Sequence, residues 1–541
     1  MADGAATQSQ IELCSPRGND FPGTSTETLL TRDALELARV GKKEVMKRRF
    51  RLASTIGFAS SLMITWEAMM IQFGVGLRNG GPPGLIYGYI GVWIAFLSIF
   101  IAMGELASMI PSAGGQYHWT SILAPTSSKR FLGHITGSIT IIAWETVAVG
   151  NYVVSASVLQ GTVALSRPQY DPQGWHVTFI TWGILLVSLL IVTYLGVVLP
   201  AIEIFILVIH IFGFFAVLFS LIALGPQTEP RPVFSMLVNL GNWHDITLSS
   251  FVGLQGTAVA FVGMDGAIHM AEEVENSSMV VPQSMLLAIV INGALGFAML
   301  LTILLKSGDI QALLNSDTKY PFMFVLENST QSKTAAIILS SMLATLTACA
   351  GLSTLASGSR MLWSFSREKG IPGWNWIRQV HPRTSLPNHS IFIIVIATAL
   401  ISLINVGSDY ILNITLSLIM QAFFSSYLIP LSLLLYRRMQ GHIADPKQAD
   451  LDPDKPYTWG PFRVKGWLGI ANNMFSIVCL VIMFLFGCWP LQNHPSPREV
   501  NYSIALTGGA TVLAVVYYVG WARRVYRGPV VEVRVYRSGQ R

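Results

Sequence analysis

Six ionisable side chains stand in stretches that are otherwise apolar: Glu67, Glu145, Glu203, His210, Asp265 and His269. An ionisable group near the middle of a bilayer costs about 2.5 to 3.5 kcal/mol even on insertion scales, so each needs a partner, a wet cavity or a task. A carboxylate so placed can receive a cation or carry a proton, and imidazole titrates closest to neutral pH. Taken singly, each is equally well read as a hydrogen-bonding tie to a neighbouring helix. Six together on one apolar scaffold are harder to assign to structure alone.

Two of the six have a distinctive setting. Glu67 lies in Met63-Ile64-Thr65-Trp66-Glu67-Ala68, followed by Gly74 and Gly76 and closed by Asn79-Gly80-Gly81-Pro82-Pro83. Asp265 lies in Gly263-Met264-Asp265-Gly266, where two glycines bracket the carboxylate. Glycine at that depth loosens a helix and lets backbone groups turn toward a cavity, since unpaired backbone is tolerated there only against protein or water. Interrupted helices at matching places in two halves of a chain are a sequence pointer to a transporter's binding site.

The elements that must hold these residues are membrane spans. The 541 residues are 52% hydrophobic and 12% charged, with a mean hydropathy of +0.52, whereas soluble domains carry roughly 25% charged residues. A hydrocarbon core of roughly 30 Å needs about 20 apolar residues in helix. About twelve such runs can be placed: 53–78, 84–108, 131–163, 175–196, 198–224, 248–272, 284–306, 333–357, 389–406, 410–436, 466–489 and 503–522. Glu67 then falls in the first span and Asp265 in the sixth. Basic clusters at Lys47, Arg48, Arg49 and Arg51, at Arg437 and Arg438, and at Arg523, Arg524 and Arg527 each abut a span. They place both chain ends in the cytoplasm.

That orientation puts the sequon Asn328-Ser329-Thr330 outside, in a polar loop over 307–332, where Asn328 can accept an oligosaccharide. Residues 1–50, 439–465 and 525–541 read as flexible tails and linkers. No removable signal peptide is recognisable in 1–50, so the first span doubles as the targeting signal. Net charge is +6, but the basic residues sit in short loops between spans, which reads as topology and not as a nucleic-acid surface. Cys349, Cys479 and Cys488 lie in apolar runs and Cys14 in the polar tail, so no disulfide framework is indicated. Glu272, Glu273 and Glu275 lack neighbouring His or Cys at ligand spacing, which argues for a solvated or gating cluster and against a metal site. No nucleophile with its base stands out, so no enzyme and no cofactor are expected. Trp175, Trp243, Trp467 and Trp489 near span ends read as an interfacial belt.

Four stretches in order carry a family resemblance: Gly104-Glu105-Leu106 through Pro111-Ser112-Ala113-Gly114-Gly115-Gln116-Tyr117; Leu199-Pro200-Ala201-Ile202-Glu203 with His210; Gly263 through Asn276 with Val281-Pro282; and Ser359-Arg360 through Gly370-Ile371-Pro372. From about residue 50 to 525 the chain resembles the amino acid-polyamine-organocation superfamily, and within it the fungal amino acid/choline transporters that include GABA and choline permeases.

The resemblance implies an all-α polytopic fold of the leucine-transporter type. Five plus five spans form inverted repeats and two peripheral helices follow. The expected division is a tail (1–50), a ten-helix transport core (51–436), a loop (437–465), two peripheral spans (466–522) and a second tail (523–541). Many members break the first helix at Gly-Ser-Gly and receive a carboxylate on its amides, whereas spacing from Gly81-Pro82 places Trp66-Glu67-Ala68 there. That departure removes the glycines that free backbone donors and supplies an acid and an aromatic ring, which suit an ammonium group. The expected substrate site is therefore Thr65, Trp66, Glu67, Ala68, Gly263, Met264, Asp265 and Gly266, with Asp265 fixing the break. His210 occupies by spacing the place of a proton-responsive lysine in some bacterial relatives. His210, Glu203 and Glu145 are the proton-coupling candidates, Glu145 also being open to a role in substrate choice. Arg360, Arg367 and Glu368 read as a cytoplasmic gate or helix-terminal ion pairs. The expected function is proton-coupled import of a small amine-bearing solute (an amino acid, GABA, choline or a polyamine) across the plasma or the vacuolar membrane. The alternatives are a nutrient sensor on the same scaffold and an exporter of an amine metabolite.

Overall fold

A computed structural model describes residues 9–13, 32–314, 320–407, 411–445, 457–496 and 500–537. Cys14 lies outside them. Among the described residues, eleven helices are long and apolar enough to cross a bilayer, and a shorter apolar helix, Ile246–Val259, supplies most of the sixth span. The twelve passes follow the expected order. Their outer faces are rich in exposed apolar side chains, as on the fifth span (Leu199–Leu224), where Phe205, Phe212 and Phe219 are all more than half exposed. A water-facing helix would not carry such a row.

The first span, Leu52–Arg78, consists of two helices, Leu52–Met63 and Thr65–Arg78, joined at Ile64. The sixth runs as Ile246–Val259, then a turn through 260–265, then a single turn Gly266–His269. Thr65–Arg78 packs on Ile246–Val259 and Leu52–Met63 packs on Gly266–His269, so the halves pair off and the two interruptions lie side by side. Around them stand the second span (Gly81–Met109), third (Lys129–Ser166), fifth, seventh (Ser277–Leu305), eighth (Lys333–Arg367) and tenth (Ile411–Met439).

Several boundaries depart from expectation. The seventh span starts at Ser277, seven residues early, because Pro282 is accommodated inside the helix, near its start. The eighth continues ten residues beyond 357, since Arg360 and Arg367 find buried carboxylates and so do not terminate it. The region 307–332 is not all loop: Pro321–Thr330 is a helix that carries the sequon, with Asn328 half-buried and Ser329 buried against the carbonyl of Lys306. Trp243 is buried against Trp489 and is not an interfacial anchor.

The terminal segments, expected to be flexible, are docked where they are described. Helix Arg32–Arg39 and the run to Phe50 bury Leu37, Lys42, Met46 and Phe50. The amide of Glu532 donates to the carbonyl of Gly41 at 2.7 Å. Strand Val533–Arg537 pairs antiparallel with Ser9–Leu13.

Candidate functional site

The break in the first span needs no glycine. Ile64 adopts the left-handed region at φ 33, ψ 47, a conformation strongly disfavoured for a β-branched residue and held here by the packing of both half-helices. It comes two residues before Trp66, earlier than the spacing from Gly81-Pro82 suggests. Thr65, Trp66 and Glu67 therefore form the first turn of Thr65–Arg78, where backbone N–H groups have no partner within the helix. Sequence reasoning expected the lack of glycine to remove these donors, but the kink at Ile64 supplies them. Gly74 and Gly76 serve packing instead: a Cβ on Gly76 would strike Leu85.

Across from this turn, Gly263 takes φ +100, and a Cβ there would meet only the carbonyl of Leu62, at 3.7 Å. The Thr65 hydroxyl donates to the carbonyl of Ala260 at 3.1 Å and ties the two interruptions together. Trp66, Glu67, Met264, Asp265 and Gly266 are all buried, and Ala68 is half-buried.

The acids divide by their partners. Glu67 Oε1 meets His210 Nδ1 at 2.6 Å, with the Trp66 ring 5.9 Å from the imidazole. Glu67 Oε2, His210 Nε2 and Trp66 Nε1 are buried without a hydrogen-bonding partner. Spare polar valence in a buried place is costly unless a ligand or water fills it. Asp265 is fully engaged: Oδ2 accepts from Gln116 Nε2 at 2.7 Å and Oδ1 from the Tyr427 hydroxyl at 2.6 Å. It fixes the sixth-span turn to the motif loop and the tenth span. Glu203 accepts from Ser61 on the first span at 2.6 Å and from Ser353 on the eighth at 2.8 Å. Seven residues before His210 on the same helix, it holds the seam between the first and eighth spans.

Glu145 is not brought to the breaks. It accepts from Thr398 of the ninth span (Asn388–Val406) at 2.8 Å, while its neighbour Trp144 faces inward, 5.4 Å from the His269 ring. Adjacent helical residues point about 100° apart, and here Trp144 turns toward the sixth span while Glu145 turns toward the ninth. Trp144, Gln116, Tyr427, Ser61 and Ser353 were not picked out from sequence. Only Gln116 had a signal, its place in the Gly-Gly-x-Tyr motif.

Toward the terminal segments lies a group of ion pairs. Arg360 pairs with Glu273 at 2.8 Å, Arg367 with Glu272 at 2.9 Å and with Glu532 at 2.6 Å, and Lys42 with Glu368. Lys42 also donates to the carbonyl of Val530 at 3.1 Å. The acidic run 272–275 is thus spent on arginines. Burial pushes the Glu532 carboxyl up, but the charges of Arg367 and Lys42 outweigh it and hold that group below the usual carboxylate range.

A protein-family model described as amino acid permease matches residues 50–510. A putative amino acid/polyamine transporter of Macrophomina phaseolina is 26% identical, with 83% of this chain and 97% of that protein covered. The choline transporter of Saccharomyces cerevisiae is 26% identical, covering 87% and 81%. The GABA-specific permease of the same yeast is 24% identical, covering 92% and 86%.

Proposed function

The chain belongs to the amino acid permease family, whose members are membrane transporters of small solutes and not enzymes, and from that premise we propose that it imports a small amine-bearing solute in company with protons. The observation that carries this reading is the buried, unpartnered Oε2 of Glu67, in the first turn of a helix whose leading amides have no partner within that helix. An ammonium group fits between that oxygen and the Trp66 face, by charge and by cation-π attraction. A carboxylate, where the solute has one, fits the amides of Thr65, Trp66 and Glu67, at the positive end of a half-helix dipole. Solutes bearing both groups, such as amino acids or GABA, thus suit the site as well as choline or polyamines do. Gly263 leaves room for the solute on the sixth-span side, and Met264 and Gly266 continue that wall. Asp265 positions the wall without touching solute.

His210 shares Glu67 and so responds to whether an amine is present. Glu203 stands apart between two serines on the first and eighth spans, and a proton there would alter the bonds that join those spans. This separation favours Glu203 as the coupling acid, with His210 sensing occupancy and Glu145 outside the path. The basic clusters flanking the spans support cytoplasmic termini; the membrane we propose is the plasma membrane or that of the vacuole.

Uptake of labelled GABA, choline and amino acids by permease-deficient yeast, with and without a protonophore, tests the proposal. Accumulation that collapses with the proton gradient is expected. Faster loss of preloaded solute would mean export, and binding without movement would mean a sensor.

A further inference from the structure

Where the tenth span ends and the eleventh (Gly466–Gly487) begins, a cavity of about 350 Å³ is lined by Arg438, Asp445, Trp459, Arg463, Lys465 and Gly466, among others. The transport reading makes no use of it. Three of the lining side chains are cationic and one is acidic. Arg463 is taken up by Asp445 at 2.6 Å. The Arg438 side chain is 7% exposed, lies over the Trp459 ring at 4.7 Å, and reaches through Nη2 to the buried Glu105, which does not line the cavity. Its Nη1 is buried with no acceptor and sits against Gly469 in the first turn of the eleventh span. That 22-residue helix starts with no side-chain cap, and its leading amides have no partner within the helix. Lys465 stands exposed just before them, with no ion pair among the described residues.

A buried guanidinium N–H, an uncapped helix N-terminus and an adjacent ammonium converge on one small volume. All are donors or positive charges. An oxyanion with several acceptor oxygens satisfies them together, as no neutral ligand does. The level of the cavity decides between sources of phosphate. Trp467, 73% exposed, and Leu468, 55% exposed, follow Gly466 directly and begin the outward apolar face of the span. Indole rings so placed mark the interfacial layer, where headgroup phosphates lie.

We propose that this cavity seats the phosphate of an anionic membrane phospholipid, held by Arg438 Nη1, the first amides of the eleventh span and Lys465, with the acyl chains beside Trp467 and Leu468. The bound lipid bridges the tenth and eleventh spans, and so joins the peripheral pair to the transport core.

The full-length protein in nanodiscs of phosphatidylcholine, with or without phosphatidylinositol, provides the test, read as thermal unfolding and as binding of a fluorescent phosphatidylinositol. Phosphatidylinositol should raise the unfolding temperature. Lys465→Gln should weaken lipid binding about fivefold, the effect of one basic residue at an anionic surface. Arg130→Gln, an exposed basic residue at the start of the third span, should leave binding unchanged. Equal stability in both lipids, or a Lys465→Gln protein that binds like the wild type, overturns the proposal. So does full stabilisation by inorganic phosphate in phosphatidylcholine alone, which would assign the cavity to a soluble anion. Because Lys465 is remote from Glu67 and Glu203, none of these results depends on transport.

Discussion

The middle of this molecule and its terminal-segment face handle buried charge in opposite ways. At the breaks, Glu67, His210 and Trp66 each keep a polar atom without a partner. At the face that docks the termini, Glu272, Glu273, Glu368 and Glu532 are each matched to an arginine or lysine. A completed ion pair holds one arrangement, and removing a partner strands a charge at a cost of about 3 to 5 kcal/mol when fully buried. An incomplete one awaits a ligand. On the proposed reading, binding belongs to the breaks, and the ion pairs lie apart from them, between the sixth-span end, the eighth span and the terminal segments.

The sharpest break of this contrast is Glu67→Gln. It removes the charge for the amine and the partner of His210 together. Uptake should fall by at least about a hundredfold, equivalent to the lower end of the cost of breaking a buried pair, while protein at the cell surface stays unchanged. Unaltered uptake by that variant would remove Glu67 from the site. Next in size is Glu203→Gln, which should end uphill accumulation yet leave exchange of labelled for unlabelled solute within about threefold, since the serine bonds survive in part. If accumulation persists with its usual pH dependence, Glu203 is only a tie between helices.

On the paired side, Glu532→Gln should loosen the docked C-terminal segment and speed proteolysis there by about tenfold, as expected for one partly buried charged hydrogen bond. The same contact should respond to acid. Because the carboxyl of Glu532 titrates lower in the folded protein than when free, its stabilising contribution is complete above the ordinary carboxylate range and is lost as pH falls through the folded value. Protection that stays flat from neutral pH into strong acid would contradict this. The smallest effect is expected for Ile64→Gly. Relief of a left-handed conformation worth about 1 to 2 kcal/mol opposes the loss of a buried side chain, and transport should change by less than about threefold if the kink alone is what matters.

Much of this was legible in the residues themselves. Charge inside an apolar run is a local signal, so Glu67, Glu203, His210 and Asp265 stood out, and glycine flanking Asp265 marked the sixth-span turn. Trp144, Ser61, Ser353 and Tyr427 gave no comparable signal, because uncharged polar and aromatic residues are ordinary in spans and acquire meaning only from what they face. Glu145 illustrates the converse: it carries the same charge signal as Glu67, yet its helix turns it toward Thr398.

The sequence by itself determined the spans, their order and the depth at which charge would be buried, since hydropathy is a sum over neighbouring residues and needs no knowledge of the fold. Tertiary structure alone decided where the first helix breaks, which acids stay incomplete, and that the described terminal segments dock at the end of the eighth span. Those outcomes depend on the rotational phase of each helix and on contacts between residues hundreds of positions apart, which no local pattern encodes.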